Sequence, residues 1–83
     1  MEIKIWEIPP DEFRPEGFKY SLVYVVKGKR VIGYDNERGK GPHRHFRGKE
    51  SAYHFEGIDK LISDFLKDVL EVRKNKKGES HEG

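Results

Sequence analysis

The sequence predicts an α+β domain: an antiparallel sheet of four to five strands, built as two hairpins, with one C-terminal helix packed on one face. Three observations carry this. Ile58, Leu61, Ile62, Phe65, Leu66, Val69, Leu70 and Val72 follow the i, i+3, i+4, i+7 spacing of a helix with one apolar face. Phe18 to Tyr34 is aromatic and β-branched, and Lys27-Gly28-Lys29 divides it as a tight turn divides a hairpin. A second alternating stretch, from His43 to Phe55, is broken around Gly48-Lys49-Glu50 and predicts the second hairpin.

The elements follow in order. Glu2 to Ile8 alternates well enough for a first strand, with Ile3 and Ile5 on one side and Trp6 and Ile8 on the other, and Pro9-Pro10 ends it. Asp11 to Gly17 holds Pro15 and four charges and reads as a solvated connection. In the strand from Phe18, Tyr20, Leu22, Tyr24 and Val26 share one face, and Val23 and Val25 the other. Both faces are apolar, so the face that the helix does not cover is left for a second copy of the chain or another protein. In the later strands, His43, His45 and Arg47 fall on one face and Arg44 and Phe46 on the other. Ser51 to Phe55 sets Tyr53 and Phe55 against Ala52 and His54. The helix spacing runs from about Gly57 to Arg73, and Arg73, Lys74, Lys76 and Lys77 suit its C-terminal end.

With 83 residues the chain holds one domain, assigned to residues 1–73, near the lower size at which a single core folds unaided. Residues 74–83 are charged and lack core side chains, and are expected to form a disordered tail. Hydrophobic residues make up 34% and charged residues 39%, so the 12% of aromatics must supply much of the buried area. The chain has no cysteine, which excludes disulfides, a thiolate nucleophile and thiolate zinc sites. It also lacks Gln and Thr, has two Asn and is rich in Lys and Glu, the direction reported for hyperthermophile proteins. Neither a signal-peptide pattern nor an 18-residue apolar span is present, so a soluble cytoplasmic protein without a membrane partner is expected.

Charge distribution tells more than the net value of +2. Glu7, Asp11, Glu12 and Glu16 gather early, whereas Arg38 to Lys49 carries five Lys or Arg and no carboxylate. That local basic patch suits phosphate, since no basic amphipathic helix accompanies it for a membrane surface. Within it, Gly39, Gly41 and Pro42 exclude a helix and lead into His43-Arg44-His45.

The run Tyr34-Asp35-Asn36, then Gly39-Lys40-Gly41, then His43-Arg44-His45 resembles the TumE-like toxin family of toxin-antitoxin systems. The likeness continues through Gly48-Lys49-Glu50, Tyr53, Phe55 and the helix around Leu61, Phe65 and Val69, covering roughly residues 18–73. It departs at Pro42, where the family pattern carries an acidic residue, so no carboxylate role exists there. The resemblance implies a small toxin acting on RNA or translation, neutralised by a cognate antitoxin with a helix-turn-helix DNA-binding domain.

Metal-independent RNA cleavage needs a base for the 2′-OH proton, an acid for the leaving oxygen and cations for the phosphorane charge. His43 and His45, about 6–7 Å apart on a strand, suit the first two roles. Arg47, with Lys40 and Arg44, suits the third, and Tyr34 or Tyr53 is a candidate for stacking on a base. Lys49, Asp35 and Asn36 join them as substrate-contacting candidates, although Asp35-Asn36 beside glycines is also what a plain turn requires. The same basic loop could instead hold nucleic acid or protein without catalysis. A metal class rests on His-x-His with Asp35 alone and is opposed by Arg44 and Arg47; no metal ligand is assigned and no cofactor is expected.

Overall fold

The computed structural model describes residues 1–12, 14–36 and 41–82, with side chains as far as 74. Strands β1 (Glu2–Glu7), β2 (Phe18–Val26), β3 (Lys29–Asp35), β4 (His43–Phe46) and β5 (Lys49–Ala52) form one antiparallel sheet in chain order, and helix α1 (Ile58–Glu82) follows. The α+β class, the five strands and the single C-terminal helix are as the sequence predicts.

Two connections are two-residue turns. Lys27 and Gly28 have φ of 51° and 77°, and Arg47 and Gly48 have φ of 50° and 84°. Paired left-handed corners are the type I′ geometry, whose twist matches that of the strands it joins. The second turn therefore lies at Arg47-Gly48, earlier than the expected Gly48-Lys49-Glu50. A type I′ turn needs positive φ at both central positions, and Gly48 meets that demand most easily at the second one. Lys49 and Glu50 are already in β5, which ends at Ala52 instead of reaching Phe55.

The register divides the sheet into two faces. Ile5, Tyr20, Leu22, Ile32, Tyr34, Arg44 and Phe46 point toward α1. From the helix, Leu61, Phe65, Val69 and Val72, spaced four, four and three apart, complete a core with Tyr20, Leu22, Ile32 and Tyr34. Leu66 and Leu70 continue the predicted apolar spacing but stay 39% and 65% exposed. A narrow sheet meets only the central stripe of the helix, and these two side chains lie on its flank. After β5, Tyr53 and Phe55 cover the end of the core: Tyr53 and Tyr34 meet edge to face at 5.0 Å between ring centres and Phe55 stacks on Tyr20 at 5.6 Å.

Where β3 ends, Asn36 holds the start of β2. Its Oδ1 accepts from the Tyr20 N–H at 3.0 Å, and its Nδ2 donates to the Phe18 carbonyl at 2.6 Å and to Glu16 Oε2 at 2.7 Å. The side chain is 1% exposed, so these bonds replace the water it has lost. No helix among the described residues is long and apolar enough to cross a membrane.

Candidate functional site

On the face away from α1, the strand pairings arrange side chains in rows. One row runs Lys4, Ser21, Asp35, His43, Ala52, and the next runs Glu2, Val23, Gly33, His45, Glu50. His43 and His45 thus share the open face, as alternation along the strand predicts. Arg47 does not join them. The expected strand continues only to Phe46, and Arg47 takes the left-handed first corner of the turn, its guanidinium 5.6 Å from the Phe46 ring.

His43 sits in a cage of acceptors. Its Nε2 lies 2.8 Å from Asp35 Oδ1 and 3.3 Å from Glu50 Oε2, and its Nδ1 lies 3.2 Å from the Gly41 carbonyl. Carboxylates and carbonyls only accept, so the ring can donate on both sides at once only as the imidazolium. Asp35 reaches Nε2 because it pairs directly with His43 across β3 and β4; Glu50 reaches it diagonally from β5. An open cleft of about 340 Å³ lies beside this cage, lined by Pro42, His43, Glu50, Ser51 and Ala52. The His45 ring, partly exposed one row away, makes no hydrogen bond or ion pair among the described residues.

The helix-facing side of β4 has a different chemistry. Arg44 Nε and Nη2 donate to Asp68 Oδ2 and Oδ1 at 2.8 and 2.9 Å, and Nε also lies 3.0 Å from the Tyr34 hydroxyl, which donates to Asp68 Oδ2 at 2.5 Å. The guanidinium rests 4.7 Å from the Phe46 ring. Arg44 thereby joins sheet to helix, with its charge matched by Asp68 and its Nε and Nη2 edge directed to that carboxylate. Burial first, and then the Asp68 carboxylate, push the Tyr34 hydroxyl well above its usual range. The bond to Asp68 raises the Arg44 guanidinium further still, against a smaller opposing effect of burial.

Tyr34, at 2% exposure, offers no face on which a base could stack. Tyr53 is partly covered, and its hydroxyl donates to Asp64 Oδ2 at 2.5 Å. Burial alone would raise the Asp64 carboxyl, but the Tyr53 hydroxyl and the Lys60 ammonium outweigh it and hold the group below its usual value. Asn36 is committed to the β2 contacts and turned away from solvent. Lys49 is exposed at the start of β5, opposite Phe46. Lys40 lies outside the described residues.

The structure thus brings together His43, His45 and Asp35, and separates from them Arg44, Tyr34, Asn36, Tyr53 and Lys49, which pairs with Phe46 on the helix-facing side. It also adds Glu50, which the misplaced turn hid: with the turn at Arg47-Gly48, Glu50 pairs directly with His45. Asp64 and Asp68 read in the sequence as ordinary charges of a helix's polar face. Among the described residues no group of three or more His, Asp or Glu side chains is arranged to hold a metal ion.

Compared with known proteins, residues 1–73 match the family model described as Toxin TumE. No curated protein and no solved structure matches the chain.

Proposed function

The chain belongs to the TumE toxin family, and from that premise we propose that this toxin acts on RNA through the open face of its sheet, as a small metal-independent ribonuclease. As a toxin component it has a cognate antitoxin as partner, and we assign that antitoxin a helix-turn-helix DNA-binding domain.

One observation carries the reading: two histidines share an open face, one ring held among acceptors and the other without a described partner. In the reaction a base takes the 2′-OH proton, the 2′-oxygen bonds to phosphorus, and the 5′-oxygen leaves with a proton from the acid. His45 and His43 fill these two roles between them. His43 has one N–H at Nε2, which Asp35 and the half-exposed Glu50 share, so in this reading the substrate oxygen displaces both carboxylates from that nitrogen when the proton is passed. Arg47 and Lys49 are exposed at one end of β4 and β5, but Lys49 pairs with Phe46 on the helix-facing side and the Arg47 guanidinium lies over the Phe46 ring, so this reading lets them meet the RNA backbone only around that end of the sheet, away from the histidines. Lys40 belongs to the same basic run.

A second reading, binding without cleavage, is favoured by the His43 cage itself. With both nitrogens engaged, the ring can serve as a fixed part of a binding surface. Inducing the wild type, His45→Ala, His43→Ala and the double variant in a heterologous host, followed by mapping of total-RNA ends, separates the two. Ribonuclease action requires growth arrest with new RNA ends and at least about a tenfold loss in each single variant. Arrest without new ends, with RNA binding that weakens steeply as salt rises, would replace it with the binding reading.

A further inference from the structure

We propose that Arg30, lying across Gly33 beside His45, forms with that histidine a binding site for a phosphate group. The inference deepens the RNA-directed reading and rests on it for the identity of the larger ligand.

The site begins with an irregularity in the hairpin. Tyr24 pairs with Ile32, but Val25 pairs with Arg30, so Val31 is an extra residue in β3. Such a bulge re-aims the side chains around it. Val25 points to the open face, and Arg30, its partner, does the same instead of continuing the alternation from Ile32. From there the Arg30 arm folds back along its own strand over Gly33. A Cβ added at Gly33 would stand 3.3 Å from Arg30 Cδ, 3.4 Å from Nε and 3.6 Å from Cζ. Gly33 is buried although it lies on the open face, while the arm above it is exposed. The Arg30 arm therefore packs closely over the bare Gly33 backbone, and any side chain there would press on it.

Gly33 pairs directly with His45. The guanidinium therefore lies over the position directly across β3 and β4 from His45, where a side chain on Gly33 would stand about 5 Å from the His45 Cβ. Among the described residues neither the guanidinium nor the imidazole makes a hydrogen bond or an ion pair. The nearby carboxylates are directed elsewhere: Asp35 Oδ1 and Glu50 Oε2 both converge on His43 Nε2, one row away. An Arg fork and an imidazole on one open surface, with the local acids drawn aside, match the oxygens of a phosphate.

The test is titration of the protein with inorganic phosphate at constant ionic strength, followed by NMR of the His45 ring, for wild type, Arg30→Ala, Arg30→Lys and Gly33→Val. Wild type should show a saturable shift that Arg30→Ala abolishes. Arg30→Lys should weaken it by keeping the charge without the fork, and Gly33→Val should weaken it by displacing the arm. A shift that is absent in wild type, or equal in Arg30→Ala, overturns the site. A second arm measures a 2′-O-methyl RNA oligonucleotide by fluorescence anisotropy at several salt concentrations. Loss of Arg30 should lower the salt slope by about 1. RNA bound equally well by Arg30→Ala overturns the site and leaves the RNA reading standing. Saturable phosphate binding without affinity for RNA sustains the site and removes the RNA reading.

Discussion

Arg44 and Asp68 form a two-pronged ion pair, at 2.8 and 2.9 Å, that ties the fourth strand to the middle of the helix. The central residue of the His-Arg-His run is thus part of the scaffold, while its two flanking histidines face the other way. Arg44→Lys keeps the charge but loses the fork, and Asp68→Asn leaves a guanidinium without its counter-charge. Each should destabilise the fold by about 1–3 kcal/mol, toward the lower end because Arg44 retains some solvent contact. Urea denaturation of each variant, compared at constant m-value, measures it.

Asn36→Asp is nearly isosteric, yet it should be at least as damaging as Asn36→Ala. The Nδ2 donor meets the Phe18 carbonyl and the Glu16 carboxylate, so a carboxylate there places acceptor against acceptor. A loss of about 2 kcal/mol or more is expected for both, read from the urea midpoint.

Arg47 offers a separation of stability from action. Its φ of 50° is a conformation that most side chains resist, and Asn followed by Gly is the favoured pair for this turn. Arg47→Asn should raise stability by about 0.5–1 kcal/mol. If Arg47 contacts RNA as proposed, the same variant should arrest growth less, and a thermal melt beside an induction assay reads both effects.

The alkaline limb of stability follows from three tyrosines. Burial is the first cause that raises Tyr20, Tyr34 and Tyr53 above their ordinary value of 10.0. Such groups favour the folded state while they stay protonated. Their contribution is fully present below about pH 10 and is lost as pH rises beyond it. The urea midpoint should therefore fall steadily once pH passes about 10. Replacing Tyr53 with Phe should flatten that fall.

At the acid end the sign reverses for Asp64, whose carboxyl lies below its usual 3.8. Its contribution is present above that value and is lost as pH drops through it. Asp64→Asn should reduce the acid sensitivity of the midpoint, measured from pH 5 down to about pH 2.

Much of this architecture is legible in the sequence because periodicity is a direct record of burial. Leu61, Phe65 and Val69 announce the helix, Tyr20 and Leu22 the strand beneath it, and the two-residue spacing of His43 and His45 their common face. The second turn is less legible, since Gly48 can serve either corner of several turn types, and a shift there moves Glu50 from a loop tip to a position opposite His45. The pairing of Arg44 is hidden in the sequence for another reason. A basic residue inside a basic run looks like part of a patch, and only the fold brings Asp68 to it from 24 positions away. Arg30 gave no signal at all, because its direction depends on the extra residue at Val31.

Every strand of the sheet pairs with the strand next to it in the chain, and this arrangement bears on how the molecule forms. Hairpins closed by two-residue turns need little loop entropy, so β2 with β3, and β4 with β5, can zip independently within microseconds, about 1–10 μs for an isolated hairpin. Joining them, adding β1 and seating the helix are the steps that must bring distant residues together. If the Arg44–Asp68 clasp forms when the helix is seated, its loss should speed unfolding more than it slows folding, and the two arms of a chevron plot for Arg44→Lys measure that.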